Sequence, residues 1–177
     1  MNLNIWFRLF LTILSRFWKT KIYITDVCKT SFIVLPNDLD LNLHMNNARY
    51  FAFMDLGRLD MMQRSKMLKE LKKRNWYPVV ADETISFGKS LDLFDKFTLE
   101  TKIHGWDKKY FYLEQKFKKK DVTLAGALVK SRILSKKRAL FTNEVFEAIG
   151  IDSQSPDLNK WIEKWKNTRN DLLDRNI

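Results

Sequence analysis

The segment LPNDLDLNLHMNNARY, residues 35–50, joins a polar loop to the start of a helix. It contains two carboxylates, several amides and one of only two histidines in the chain. Leucines at positions 39, 41 and 43 alternate with polar residues, and in an extended chain alternate side chains point to one side. We therefore expect four polar side chains to converge here: Asp38, Asp40, Asn42 and His44.

A buried helix is predicted directly after this loop. Residues 48–62 are nearly all apolar in their first turns, which is typical of a helix enclosed by other elements. Asn46 or Asn47 is a good N-cap for it, and the free backbone N–H groups of a helix start can hold an anion. A carboxylate, an amide and an imidazole beside such a helix start are the equipment of an acyl-transfer site.

The rest of the chain predicts an antiparallel sheet. Residues 96–103 alternate cleanly between apolar and polar, and residues 110–117 alternate again after turn residues at 104–107. Further strands are predicted at residues 31–35, 78–81, 84–87 and 122–134, and helices at 68–74, 145–149 and 158–173. A strand, a long buried helix and then four or five strands indicate an α+β fold.

The motif in the opening segment also resembles a known family. Asp38-Leu39-Asp40, Asn42, His44, Asn46-Asn47 and Tyr50 resemble the motif of hot-dog-fold thioesterases, which include plant acyl-ACP and bacterial acyl-CoA thioesterases. Residues 34–50, with Gly105-Trp106-Asp107 and residues 111–114, are most similar to thioesterase superfamily member six and its bacterial relatives. The resemblance runs from about residue 30 to 138. It implies a long central helix wrapped by an antiparallel sheet, and pairing of two subunits through that sheet.

The resemblance implies roles for particular residues. Asp40 matches the catalytic carboxylate, and Asn42 and His44 match the groups that assist it. A thioester carbonyl can be attacked by a carboxylate or by water that a carboxylate activates. Backbone N–H groups near Asn46 and Asn47 would then receive the oxyanion.

Two further acids are secondary candidates. Asp38 is expected to cap a turn, and Glu83 follows an apolar strand in a place where related enzymes bring an acid toward the site. Two histidines sixty residues apart and a lone cysteine, Cys28, argue against a zinc site. We expect no metal and no cofactor beyond the coenzyme A that forms part of the substrate.

The predicted function is hydrolysis of an acyl thioester, with acyl-CoA favoured over an acyl carrier protein as substrate. One alternative is a non-catalytic acyl-binding or lipid-associated protein of the same fold. Asn42 favours an active enzyme, because the animal members of the family carry an apolar residue there. The other alternative is a 3-hydroxyacyl thioester dehydratase.

The charge and composition of the chain limit the classes of binding partner that we expect. At 177 residues and 45% hydrophobic content the chain can bury a core of its own. Its net charge of +11 is spread over clusters on different elements without a nucleic-acid recognition motif, so no nucleic acid is expected. Phosphates of coenzyme A, anionic lipid, or a solvated basic surface without a partner remain as explanations.

The N-terminal residues 1–18 form an apolar segment with one polar stripe, made of Arg8, Thr12, Ser15 and Lys19. The segment is too short to span a bilayer and lacks the features of a secretory signal. It is either a helix in the membrane interface or an extra helix packed on the protein. The expected location is the cytoplasm, with peripheral attachment to the inner membrane if the first interpretation holds.

Three regions are predicted: an amphipathic helix at residues 1–20, a hot-dog thioesterase domain at 21–140 and a C-terminal helical extension at 141–177. The domain is expected to form a homodimer or a larger homo-oligomer, because pairing through the sheet would cover an exposed edge.

Overall fold

The computed structural model describes residues 3–15, 17–150, 155–158 and 160–168. These residues form an α+β fold in which one sheet curves around a central helix. The helices are α1 (Leu3–Ser15), α2 (Asn47–Arg64), α3 (Met67–Lys73), α4 (Thr142–Ile149) and α5 (Lys160–Thr168). The strands are β1 (Cys28–Ile33), β2 (Tyr77–Phe87), β3 (Lys96–Trp106), β4 (Phe111–Lys119) and β5 (Val122–Leu134).

The sheet has the order β1-β3-β4-β5-β2, and every neighbouring pair is antiparallel. Strand β2 follows the helices in the chain but crosses over to lie at the far edge, beside β5. Its other side is paired to no described strand. The sheet therefore has two edges, β1 and β2, at opposite ends of the strand order.

The central helix α2 lies on the sheet because its apolar side chains face the alternating residues of β3 and β4. Tyr50, Phe53 and Met54 are buried on the helix. The hairpin formed by β3 and β4 covers the helix with apolar side chains that are all buried: Phe97, Leu99, Phe111, Leu113 and Phe117. Apolar burial of this kind is the main favourable term in folding.

A glycine sets how closely α2 approaches the sheet. A Cβ added at Gly57 would lie 2.6 Å from Leu99 Cδ2 and 2.9 Å from Thr101 Oγ1. Because α2 and β3 lie this close, the Gln115 side chain can donate to both the Met54 carbonyl at 3.0 Å and Thr101 Oγ1 at 2.9 Å. The core at this point admits no larger residue in place of the glycine without movement of its neighbours.

Most predicted elements are confirmed, with shifted boundaries. The two short strands predicted at 78–81 and 84–87 are one strand, β2, with an irregular register between Val80 and Asp82. The turn predicted at 104–107 begins later, since β3 continues to Trp106 and Asp107 caps the turn through the backbone N–H groups of Lys109 and Tyr110. Residues 159 and 169–173 of the last predicted helix lie outside the described residues.

Helix α4 closes one side of the sheet. Phe146 packs against Trp106, with ring centroids 4.2 Å apart, and against Phe111 at 5.4 Å. On α5, Ile162 is buried, and the Trp161 ring meets that of His104 at 6.0 Å. The C-terminal helices therefore pack on the end of β3. The boundaries predicted at residues 20 and 140 remain predictions.

Helix α1 packs against α2 with its polar stripe inward, and Arg8 reaches the Ile33 carbonyl of β1 at 2.8 Å. Arg8 and Thr12 are buried, whereas Trp6, Phe7 and Phe10 are more than half exposed. The segment therefore packs on the protein through its polar side and leaves its apolar face outward. None of the helices in the described part of the chain has the length and hydropathy needed to cross a membrane.

Candidate active site

The segment between β1 and α2 forms a tight turn. A single 3-10 turn, Pro36–Asp38, begins it. The N–H of Asp40 then donates to the His44 carbonyl at 2.9 Å, and the N–H of Leu43 donates to the Asp40 carbonyl at 3.1 Å. Leu43 has a φ of 60°, in the left-handed region. The prediction that alternate side chains converge on one side is wrong, because the chain reverses here.

This turn orients the carboxylate of Asp40. Its Oδ1 accepts the backbone N–H of Asn42 at 2.8 Å and that of His44 at 3.3 Å. Its Oδ2 accepts no hydrogen bond from the residues that the structure describes. The side chain is half-buried. A carboxylate with one oxygen fixed and the other open can take a proton from water or attack a carbonyl carbon.

Asn42 and His44 share the turn with Asp40, but their side chains lie on its solvent side. The His44 Nε2 is 3.8 Å from Asp92 Oδ1, on the loop that precedes β3, and these residues also pair through their backbones. Both residues contact Asp40 through their backbone N–H groups. The structure therefore brings the three predicted catalytic residues together, with the imidazole directed to a second acid.

The start of α2 lies directly after this turn. Asn46 is its N-cap, with Oδ1 accepting the Ala48 N–H at 2.9 Å. The N–H of Asn46 itself donates to the Asp38 carbonyl at 2.9 Å, and that of Arg49 donates to the Asn46 carbonyl at 2.8 Å. Of the two predicted oxyanion donors, Asn46 is thus already engaged. The N–H of Asn47 is paired with no described residue, and at the first helical position it is one of the groups that a helix leaves open.

Asp38 is fully buried, so a ligand in the solvent cannot reach its carboxylate. Its side chain has no exposed surface, and its Oδ2 accepts from Arg8 of α1 at 2.7 Å and from the Leu35 N–H at 2.9 Å. Arg49 Nε lies 3.6 Å from the other oxygen. Asp38 therefore ties the turn to α1 and to the first turn of α2.

Glu83 belongs to a second polar cluster, further along α2. Arg58 Nη1 is 3.5 Å from Glu83 Oε2 and 2.8 Å from Gln115 Oε1, and it also pairs with Asp55. Burial raises the pKa of Glu83, and the nearby Arg58 offsets only part of that shift. Arg58 lies roughly 16 Å from Asn47 along the helix axis. Within one subunit, Glu83 and the Asp40 turn are therefore separate.

Asp55 and Arg58 were not predicted as site residues. The signal in the sequence is a charged residue within a helix that is predicted to be buried. Both residues line a slot of about 120 Å³ between α2 and the sheet. The slot is otherwise mainly apolar, with Met61, Met62 and Met67 on the helical side and Ile103, Leu113 and Ile133 on the strands. Such a slot suits the apolar part of a ligand.

Cys28 is excluded as a nucleophile by its surroundings. The side chain has no exposed surface, and burial, with Asp60 nearby, raises the pKa of its thiol to about 11. The thiolate is the reactive form of cysteine, so this residue is a core group.

A five-stranded antiparallel sheet around one central helix, with an acidic turn at the helix start, is the architecture of the hot-dog thioesterases. The chain belongs to the Thioesterase-like superfamily, whose sequence profile matches residues 34–165. The class predicted from the sequence, a hot-dog thioester hydrolase, agrees with this membership.

Several relatives are named Protein THEM6. The one from Xenopus laevis is 36% identical over 110 residues, which are 62% of this chain and 51% of the relative. The one from Danio rerio is 37% identical over 132 residues, which are 73% of this chain and 65% of the relative. The chain thus spans about half the length of the first relative and less than two thirds of the second.

Solved structures share the fold. The probable thioesterase YbaW from Escherichia coli has a TM-score of 0.65 at 24% identity and covers 72% of this chain and 99% of its own. The protein SAV2348 from Staphylococcus aureus, in complex with CoA, has a TM-score of 0.61 at 21% identity and covers 79% and 92%. The BH1999 gentisyl-coenzyme A thioesterase has a TM-score of 0.61 at 20% identity and covers 67% and 98%.

Proposed function

We propose that this protein hydrolyses acyl-coenzyme A thioesters, with Asp40 as the catalytic carboxylate. The observation that carries the proposal is the oriented carboxylate of Asp40, held by the N–H groups of Asn42 and His44 beside the open N–H of Asn47. This arrangement supplies a base or nucleophile next to a donor for developing negative charge, as acyl transfer requires.

In the proposed reaction, water attacks the thioester carbonyl carbon and gives a proton to the Asp40 carboxylate. The carbonyl oxygen becomes an oxyanion and accepts a hydrogen bond from the Asn47 N–H, at the positive end of α2. The carbon–sulfur bond then breaks, and the coenzyme A thiolate leaves and takes up a proton. Attack by Asp40 itself is the alternative first step, with water releasing the acyl group from the resulting anhydride.

A homodimer would complete this site. Strand β2 offers an unpaired edge, and antiparallel pairing of two copies would remove it. β2 runs from Tyr77, close to the slot, to Phe87, whose ring packs on Tyr50 in the first turn of α2 at 4.9 Å. Across a two-fold axis, the Phe87 end of one strand lies beside the Tyr77 end of the other. The Asp40 turn of one subunit would then face the slot of its partner.

Exposed apolar side chains around the turn support this pairing. Leu41 and Leu43 project from the turn, and the loop that follows β2 passes beside it through the His44–Asp92 bridge. The exposed apolar residues of this region are Leu41, Leu43, Phe87, Leu93 and Phe94, which are 40% to 102% exposed. A group of exposed apolar side chains around a polar site is typical of a surface that another chain covers.

Coenzyme A is the proposed carrier for two reasons. The net charge of +11 favours a substrate with several phosphates. Among proteins of this fold, SAV2348 was solved with CoA, and BH1999 is a gentisyl-coenzyme A thioesterase. An acyl carrier protein is the competing donor of the same thioester.

The test is turnover of acyl-CoA and acyl-carrier-protein panels, with products identified by mass. We expect free acid and free thiol, with higher kcat/KM for the coenzyme A esters. Binding without turnover would instead identify an acyl-binding protein, and loss of water from a 3-hydroxyacyl thioester would identify a dehydratase. Either result would overturn the proposal.

A mixing experiment tests the shared site. Asp40→Asn removes the catalytic carboxylate from the turn, and Met62→Trp fills the slot. Each variant should therefore be inactive as a homodimer. If each site combines the turn of one subunit with the slot of the other, a heterodimer has one intact site. Equal mixtures should therefore recover about a quarter of the parent activity. Heterodimers that form, as seen by native mass spectrometry, yet stay inactive would contradict the shared site.

A further inference from the structure

The helix α1 is amphipathic in the opposite sense to an ordinary surface helix. Its polar residues Arg8 and Thr12 are 6% and 5% exposed. Its outer face is apolar and aromatic, and continues into the turn that follows the helix. The exposed members are Trp6, Phe7, Phe10, Leu11, Ile13, Phe17 and Trp18, which are 44% to 74% exposed. A contiguous apolar surface of this kind marks a binding site for a protein or a membrane.

Two buried carboxylates fix this orientation. Arg8 donates to Asp38 at 2.7 Å and to the Ile33 carbonyl at 2.8 Å, and its guanidinium lies 4.8 Å from the centre of the Phe53 ring. Beyond the helix end, Lys19 pairs with Asp60 at 2.7 Å. Asp38 and Asp60 are 0% and 1% exposed, so turning the helix over would leave two buried acids without these partners.

Basic side chains border the same surface. A groove of about 550 Å³ separates α1 from β1 and β3, and Lys96, Lys118 and Lys120 line it together with Lys19. Lys118 pairs with Glu100 at 3.2 Å, whereas Lys96 and Lys120 form no salt bridge with any described residue. Ammonium groups beside an apolar face complement a bilayer whose surface carries phosphate groups.

The position of α1 separates this surface from the proposed subunit contact. α1 lies beside β1 and α2, whereas a second copy would add to β2 at the other end of the sheet. A second copy bound at β2 therefore leaves the α1 face open.

We propose that the outer face of α1, with Lys96 and Lys120 beside it, is a docking surface for a membrane that contains anionic phospholipid. The aromatic residues enter the interface between headgroups and acyl chains, and the lysines contact lipid phosphates. Through Arg8 and Asp38 the docking surface is joined to the segment that holds Asp40.

Sedimentation of the full chain with vesicles tests the proposal. The vesicles are phosphatidylcholine alone, or phosphatidylcholine with about a quarter phosphatidylserine. Phe10→Gln should weaken binding to the anionic vesicles about tenfold. Phe141→Gln is the matched control, because Phe141 is 50% exposed but lies at the start of α4. Its binding should equal that of the parent, and thermal melts should show both variants folded.

The charge contribution has its own comparison. Lys96→Gln with Lys120→Gln should lower affinity for the anionic vesicles about tenfold and leave affinity for neutral vesicles unchanged. Lys136→Gln with Lys137→Gln removes the same charge from the exposed loop after β5 and should have little effect.

Three results would overturn the proposal. Parent-like binding by Phe10→Gln is the first, and an equal loss in Phe141→Gln is the second. The third is a lipid-free association of the parent chain that Phe10→Gln abolishes, because it would assign the α1 face to a second copy.

Discussion

At the β1 end of the sheet, charged side chains are buried and apolar ones face outward. Arg8 and Asp38 pair inside, beneath a helix that exposes its aromatic residues. At the β2 end the backbone edge is bare, and Asp55, which lines the slot beside β2, is exposed. The first arrangement holds a surface in place, whereas the second leaves reactive groups open to a ligand or another subunit.

The two acids of the DLD sequence make the same distinction at closer range. Asp38 is enclosed by two arginines and a backbone N–H, which leaves it no access to a substrate. Asp40, two residues later, is held by backbone N–H groups on one oxygen only. Two residues with the same side chain therefore differ in role: Asp38 is structural, whereas Asp40 is a candidate catalytic residue.

The largest expected effect is on Asp40. Asp40→Asn keeps the shape and removes the basic carboxylate, so kcat should fall about 10²–10⁴-fold, or roughly 3–5 kcal/mol in barrier height. Asn42→Ala and His44→Ala should lower turnover less, because they position rather than react. Steady-state hydrolysis by folded variants measures these effects, with the exposed Asp121→Asn as control. An Asp40→Asn enzyme within fivefold of the parent would contradict this role and make Glu83 the next acid to test.

The next effect concerns the buried pair at the other end of the sheet. Arg8→Leu removes the closest charged partner of the buried Asp38 carboxylate, and should lower the free energy of unfolding by about 3 kcal/mol. Arg138→Leu breaks the exposed Arg138–Glu144 pair and should lower it far less, because solvent screens an exposed ion pair. Urea denaturation measures both values. Equal losses would mean that the pair does not anchor α1.

Assembly should respond to a charge at the bare edge. Ala81 is exposed near the middle of β2, at the register irregularity, where it pairs with no residue of β5. In a two-fold pair, Ala81→Lys would bring two ammonium groups together, and the dimer dissociation constant should rise at least tenfold. Analytical ultracentrifugation measures it, with the exposed Thr123→Lys as control. An unchanged constant would place the subunit contact elsewhere.

The smallest effect is the pH dependence of stability at Glu83. Because burial raises its pKa above the ordinary value of 4.5, Glu83 stabilises the fold at low pH, and this contribution is lost as the pH rises through the folded-state pKa. Glu83→Gln should therefore be more stable than the parent at pH 7, by under about 1 kcal/mol, and nearly equal to it at pH 4. Thermal unfolding at both values checks this. An identical difference at both would indicate that charge burial at Glu83 does not affect stability.

The amino-acid sequence alone determined the elements with strong local patterns. The apolar first turns of α2, the alternation of β3 and β4 and the limits of β5 all follow from side-chain periodicity, which acts over a few residues. The N-cap at Asn46 also follows from the sequence, because an N-cap is a local structure. The tight turn at Asp40 does not, since the alternating pattern predicted an extended chain.

Tertiary structure alone decided the contacts between distant residues. Arg8 and Asp38 are thirty positions apart and Arg58 and Gln115 are fifty-seven apart, so no local pattern predicts that they meet. The orientation of α1 also could not be predicted from the sequence, since an amphipathic pattern defines two faces but does not say which one is buried. The packed fold settles it, because an unpaired buried carboxylate destabilises a protein more than an exposed aromatic ring does.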